Sequence, residues 1–255
     1  MFSTLLKSAM TAGAATSCLL VAASSASAFS FKTNYDYNPT PNDIHLESVE
    51  IGDMITSDFA LVNDVLSLDN PEYVSGNDGA ASSDKQDGAT QGVVEEDPTP
   101  YQVQQSLGNR YLSSIIDGED KGIFEMELGF DSSFNTLLFW ERGLNSDLGV
   151  RIVDDHNTVH EHIIYRSDFE DADYTLNTHE INNTQKVGSY GLKLSDLGVS
   201  GHYNGTVTLF TEHGFNGPDF KVVGATVPEP ATVLGLTAIA GAFVASRRRK
   251  SGEAA

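Results

Sequence analysis

His160-Glu-His162 places two imidazoles at i and i+2, which on a strand puts both on one face, and His156 is close in sequence. Imidazoles so spaced can begin a zinc site. Two ligands do not complete one, and the other histidines, at 45, 179, 202 and 213, are scattered. Alternating polar residues on a solvated sheet face explain the pair equally well. Calcium suits the acids better. Asp168, Glu170, Asp171 and Asp173 crowd one turn and Asp117-Gly-Glu-Asp120 another, and a hard cation prefers such oxygens. Neither cluster follows the twelve-residue calcium loop: counted from Asp117, position five is Lys121 and position twelve is Leu128. Solvated loop acids are the simplest reading, so no metal site and no cofactor is assigned.

Nucleophilic catalysis has little to work with. The only cysteine is Cys18, and no Gly-x-Ser-x-Gly elbow occurs. Gly188-Ser-Tyr-Gly191 is one residue too short and lies in a strand-like run. Acids are so abundant that no glycosidase-like carboxylate pair stands out. The sole tryptophan, Trp140, sits in Leu137-Leu-Phe-Trp-Glu-Arg142. At period two, Leu138 and Trp140 share one face while Leu137 and Phe139 share the other, so core packing is favoured over a sugar-stacking platform. Arg142 is expected to pair with a carboxylate at the strand end. No catalytic residue is assigned.

Strands must position whatever chemistry there is. Runs of strand length occur at 44–51, 59–66, 123–128, 136–141, 149–153, 158–165, 174–181, 187–194, 206–210 and 219–223. Gly, Asn, Asp and Ser clusters punctuate them, the rhythm of an antiparallel sandwich or jelly roll. Residues 101–116 carry Leu107, Tyr111, Leu112, Ile115 and Ile116 at helical spacing and predict one short helix. Small and polar residues dominate 75–100, which predicts a flexible loop or linker, either between a subregion at 29–74 and the rest or within one sandwich. The expected fold is all-β, an antiparallel β-sandwich or jelly-roll-like body at 29–226, with a signal peptide before it and a transmembrane helix after it.

Charge bounds the partners. The 255 residues include 15 Lys and Arg against 36 Asp and Glu, a formal net charge of −21. Such a chain repels a phosphate backbone, which argues against nucleic acid. The segment 29–226 holds ten of the basic residues and thirty-four of the acids and so carries −24. The basic surplus belongs to the ends.

Those ends read as addresses. Lys7 precedes an apolar run that includes Cys18-Leu-Leu-Val-Ala-Ala23 and closes on Ser25-Ala26-Ser27-Ala28. That is a signal peptide over 1–28, with cleavage after Ala28 by signal peptidase and Ala26 and Ala28 as the recognised small residues. A lipid-carrying Cys18 is the rival, poorly matched by Thr16-Ser17 before it. At the other end, Pro228-Glu229-Pro230 precedes a run of fifteen uncharged, mostly apolar residues at 231–245, then Arg247-Arg248-Arg249-Lys250. At ~1.5 Å per residue that run spans about 23 Å as helix, short of a ~30 Å hydrocarbon core unless flanking residues extend it. The basic cluster would hold its side on the cytoplasmic face.

This tail, over 227–251 with its helix at 231–246, resembles the PEP-CTERM sorting domain of exosortase-dependent bacterial proteins. The resemblance implies that a membrane-embedded, protease-like transferase, exosortase, recognises the tail and sorts the cargo to the cell exterior. The helix would then be a transient hold in the inner membrane. Phrases in the body, among them Gly129-Phe-Asp-Ser-Ser-Phe-Asn135, Phe139-Trp-Glu-Arg-Gly-Leu-Asn-Ser-Asp147, Gln185-Lys-Val-Gly-Ser-Tyr-Gly191, Leu194-Ser-Asp-Leu-Gly198 and Asn216-Gly-Pro-Asp-Phe-Lys-Val-Val-Gly224, resemble a family of exosortase-dependent surface proteins over roughly 77–226. That resemblance implies location and a β-rich body and carries no catalytic residue. The last phrase is also similar to galactose-binding-like jelly rolls, a likeness of fold only. The expected function is non-enzymatic: a cell-surface or matrix protein, with extracellular polysaccharide as the candidate ligand. A secreted carbohydrate-active enzyme on the same route is the alternative, and acids gathered in an aromatic-lined groove would favour it.

Overall fold

The computed structural model describes residues 29–38, 43–70, 81–85, 92–95, 97–119, 122–177 and 184–228. In chain order the strands are β1 (Lys32–Asn38), β2 (Asp43–Ile51), β3 (Met54–Thr56), β4 (Phe59–Ala60), β5 (Val62–Asp69), β6 (Ala81–Lys85), β7 (Gly92–Glu95) and β8 (Ser114–Gly118). They continue as β9 (Glu125–Phe130), β10 (Thr136–Arg142), β11 (Leu148–Val153), β12 (Val159–Ile164), β13 (Glu170–Leu176), β14 (Gln185–Lys193), β15 (Val207–Phe210) and β16 (Phe220–Ala225). One helix, α1 (Pro100–Leu107), lies between β7 and β8. Thr99 caps it: its hydroxyl accepts from the Gln102 amide while the Gln102 side chain accepts from the Thr99 amide at 2.8 Å.

The strands form three sheets. The largest runs β13-β14-β10-β16-β8-β6-β7, with β4 also on β16; the second runs β12-β11-β15-β9-β5; the third is β1-β2-β3. The pairings are antiparallel, as expected for an all-β sandwich. From β8 to β11 each step crosses between the two large sheets, as do the steps β12–β13, β14–β15 and β15–β16.

Alternation along β10 explains the layering. Leu137 and Phe139 face Met126, Leu128, Val150 and Leu209 of the five-stranded sheet. Leu138 and Trp140 face the other way, where Phe31, Leu46 and Val49 cover them. The sandwich therefore has a third layer, the small sheet, and β10 is buried along its whole length. Phe31 meets the Trp140 ring edge-on at 5.3 Å, and the indole Nε1 donates to Thr33 Oγ1 at 2.8 Å. Phe29 can lie on β14 because Gly191 has no side chain; a Cβ there would come within 2.4 Å of the Phe29 ring.

Several sequence expectations change. The helix stops at Leu107, and Ile115 and Ile116 belong to β8 rather than to a helix. Gly108 is the C-cap, where any larger residue would put a Cβ 2.4 and 2.6 Å from the Val62 and Gln104 carbonyls. β13 begins at Glu170, four residues before the predicted start. The stretch 75–100 contains β6 and β7, which extend the large sheet from β8. Residues before it are woven into the same body, since β5 pairs with β9 and β4 with β16. Among the described residues no helix is long and apolar enough to cross a membrane; the segments 1–28 and 231–246 lie outside them.

Trp140 reports on the contact between the large and small sheets. Thr33→Val removes its hydrogen-bond acceptor and is expected to cost about 1–3 kcal/mol in denaturant titrations, the range for leaving a buried donor unmatched. Trp140 emission and far-UV circular dichroism should trace one transition. Two separated transitions would show that the small sheet is not part of one cooperative unit.

Candidate functional site

β10 ends in two charged residues with no route to water. Arg142 is turned toward the small-sheet side, where its Nε donates to Asp219 Oδ2 at 2.9 Å and its Nη2 to Asp117 Oδ2 at 2.6 Å. The arginine thus pairs with a carboxylate, as its sequence context predicts, and with two rather than one. Asp117, a candidate calcium ligand in sequence, is an interior ion-pair partner. Glu141 takes the opposite face, and its Oε2 accepts from the Leu144 amide at 2.6 Å. The chain can fold back on it because Gly143 and Leu144 both adopt positive φ, 113° and 58°. Its Oε1 has no partner among the described residues. Burial pushes the Glu141 carboxyl up to about 8, against the pull of the Leu144 and Asn145 amides. Burial likewise raises Asp219 to about 6 despite Asp117 and Arg142. Lys221 is also interior, its Nζ donating to the Ser106 carbonyl at 2.6 Å and to Asn109 Oδ1 at 3.0 Å. These groups are sealed and serve the fold.

The other sequence candidates separate. His160 and His162 do share the inner side of β12, but each has its own partner: Asp154 Oδ2 at 3.0 Å and the Tyr190 hydroxyl at 2.8 Å. The contact with His160 holds Asp154 down to about 2. Among the described residues no three His, Cys, Asp or Glu side chains are grouped to hold a metal. Gly188 is a packing glycine, since a Cβ would lie 2.1 Å from Leu144 Cδ2. Pro228 is exposed beside an apolar recess of about 310 Å³ formed with Ile51, Met54 and Ile55. Ala26, Ala28, Glu229, Pro230, Arg247, Arg248, Arg249 and Lys250 lie outside the described residues.

Acids and tyrosines meet where two sheet edges adjoin. β1 is an edge of the small sheet and β13 an edge of the large one, and a groove runs between them. It has two adjoining basins, of about 680 and 450 Å³, that share Tyr35, Asp171 and Asp173. Alternation on β13 sends Ala172, Tyr174 and Leu176 into the core and leaves the acids outside. Tyr35 and Tyr37 are exposed, and the Tyr35 ring lies 5.3 Å from that of Tyr174 at 56°. The Tyr174 side chain is only 6% exposed, lines the larger basin, and its hydroxyl has no hydrogen-bond partner among the described residues. Asp173 has φ of 62°, and its amide donates to Asp171 Oδ1 at 3.0 Å. Lys186 Nζ sits 2.5 Å from Asp171 Oδ2 and holds that carboxyl below its ordinary range.

Three of the four acids read from sequence as one turn, Glu170, Asp171 and Asp173, therefore line this groove. The tyrosines that complete it were not singled out. Their signal was Tyr35-Asp-Tyr37, an aromatic alternation in an otherwise polar run. No protein-family model, curated protein or solved structure matches the chain.

The raised carboxyls set a pH dependence. The folded state holds protons on Glu141 and Asp219 that the unfolded chain has released, so their stabilisation is present at low pH and lost as pH rises through the folded values. His162, whose imidazole is pushed down by burial, gains stability as pH rises through about 6.5, so Glu141 dominates only between about pH 7 and 8, where it should cost about 1 kcal/mol at 1.36 kcal/mol per unit. Urea titrations of Glu141→Gln should lose that decline. A flat wild-type profile would show that Glu141 is not held protonated.

Proposed function

We propose that this chain is an exported cell-surface or extracellular-matrix protein, sorted by exosortase through its tail, whose body binds extracellular polysaccharide without cleaving it. The tail supports the sorting half: Pro228-Glu229-Pro230, an apolar run and Arg247-Arg248-Arg249-Lys250 stand in that order, with Ala26-Ser27-Ala28 closing a signal-like segment at the front. Signal peptidase and the secretion machinery act first in this reading, and the inner membrane holds the chain transiently until exosortase processes it.

The groove between β1 and β13 carries the binding half. It is long, open and lined by exposed tyrosines beside hydrogen-bonding acids, a combination suited to the apolar faces and hydroxyls of a sugar chain. The sheet-crossing order is that of a jelly roll, a frame that lectin domains use, which supports the reading by analogy of fold.

Acids gathered beside tyrosines are the arrangement that favours the enzyme alternative; what favours binding over hydrolysis is where the protonated carboxyls lie. Glycoside cleavage needs a carboxyl that stays protonated beside the scissile bond. In the groove Lys186 keeps Asp171 ionised. The carboxyls that are pushed up, Glu141 and Asp219, lie in the core instead.

Two experiments test the two halves. Replacing Pro228-Glu229-Pro230 by alanines should leave the unprocessed chain in the inner-membrane fraction, and unchanged processing and surface delivery would refute sorting by this tail. On a glycan array the full-length chain should bind, and Tyr35→Ala with Tyr37→Ala should weaken binding about ten-fold or more, as loss of two aromatic contacts implies. Undiminished binding by that variant would place the site elsewhere.

A further inference from the structure

We propose that the groove selects amino-sugar chains, polysaccharides whose hexosamine units carry free ammonium groups, over uronic-acid chains. This inference rests on the glycan-binding reading above. Four carboxylates line the two basins, Glu50, Glu170, Asp171 and Asp173, against two cations, Lys32 and Lys186. Each cation is already matched: Lys32 Nζ lies 3.2 Å from Glu50 and Lys186 Nζ 2.5 Å from Asp171. Asn34 holds Glu50 further, its Nδ2 donating at 3.0 Å. That leaves Glu170 and Asp173, both exposed and without an ion pair among the described residues. The groove thus offers surplus negative charge, on a body of −24, to whatever enters.

A second observation, independent of the acids, marks the place as a binding site. The Tyr174 side chain lines the larger basin and is nine-tenths buried, and its shielded hydroxyl has no hydrogen-bond partner among the described residues. An unmade buried hydrogen bond of this kind is unfavourable, and a ligand hydroxyl or amine brought within reach would satisfy it. Tyrosine faces add the remaining term. Tyr35 and Tyr37 present electron-rich rings beside the unpaired carboxylates, and an ammonium group is attracted by both. A uronic-acid chain meets the same surface with like charge, and among the described residues both groove cations are already paired. A basic peptide would supply ammonium groups, but it lacks the flat C–H faces that stack on tyrosine, so the sugar is favoured.

Isothermal titration of the full-length chain separates these cases, using chitosan oligomers, their N-acetylated counterparts, polygalacturonate and oligolysine. Chitosan oligomers should bind at least about ten-fold more tightly than the acetylated form, the worth of one desolvated ammonium contact. Glu170→Gln with Asp173→Asn should abolish that preference, weakening binding of the free amine by about ten-fold more than any loss it causes for the acetylated form. Tyr174→Phe should weaken both. Asp155→Asn with Glu212→Gln, a charge-matched pair exposed on the five-stranded-sheet side, should change neither. Equal weakening by the two double variants would mean diffuse attraction and overturn the proposal. Equal affinity for the free and acetylated amines would overturn it while sparing the glycan-binding reading, and so would a preference for polygalacturonate or oligolysine. Failure of all the glycans to bind would refute the underlying reading itself.

Discussion

A strand covered on both faces has no solvent side on which to leave a charge. Thr136–Arg142 is such a strand, with the inter-sheet core on one face and the small sheet on the other. Its sequence nevertheless ends in Glu141-Arg142. The two charges leave on opposite faces, so they cannot neutralise each other across the pleat and must each find a solution. Arg142 finds Asp117 from β8 and Asp219 just before β16, which ties three strands of the large sheet together at one end. Glu141 bends the following turn over itself through Leu144 and remains protonated to about pH 8. The chain path after β10, with its positive φ at Gly143 and Leu144, follows from these needs.

The same economy governs the other cations. Arg151 joins Glu125 and Glu161 across the five-stranded sheet, at 2.9 and 2.6 Å. Arg166 clamps Asp147 and also reaches the carbonyl of Gly214 at 3.0 Å. Burial alone would raise Asp147, yet the Arg166 contacts outweigh it and hold the carboxyl down. Positive charge is therefore used as cross-links between segments distant in sequence, and the unmatched surplus at the surface is negative. Exposed pairs of this kind contribute little stability individually. The buried one contributes geometry, because only one register of β8, β10 and β16 brings both aspartates to Arg142.

Legibility in the sequence followed how strongly burial patterned each segment. β10, β11, β14 and β16 carry dense apolar runs, and their predicted spans agree closely with the structure. β13 was misplaced because Glu170-Asp-Ala-Asp173 looks like an acidic turn; only Ala172, Tyr174 and Leu176 at period two betray the inward face. β8 was absorbed into a helix because Leu107, Tyr111, Leu112, Ile115 and Ile116 keep a helical spacing across the Gly108-Asn109 break. β1 carries no apolar run that marks it as a strand, since an edge strand with one wet face is mostly polar. Sequence could locate the acids of the groove but not its tyrosines Tyr35 and Tyr37, which come from the other end of the body and are brought near by the small sheet packing on Trp140.

That last point links the groove to the buried strand. An edge strand exposes unpaired backbone groups, and charged side chains along it discourage pairing with another chain. β1 and β13 are both edges and both carry charge: Lys32 and Asp36 on one, Glu170, Asp171 and Asp173 on the other. Placed side by side, two such edges do not merge into one sheet: among the described residues β1 pairs only with β2 and β13 only with β14. The space between them stays open. Its floor is apolar and aromatic because the core that covers Trp140 ends there, at Ile44 and Tyr174. Its walls are acidic because edges resist pairing. A groove with a tyrosine floor and carboxylate walls is thus what remains when a third layer is added to a sandwich whose central strand needs covering on both sides.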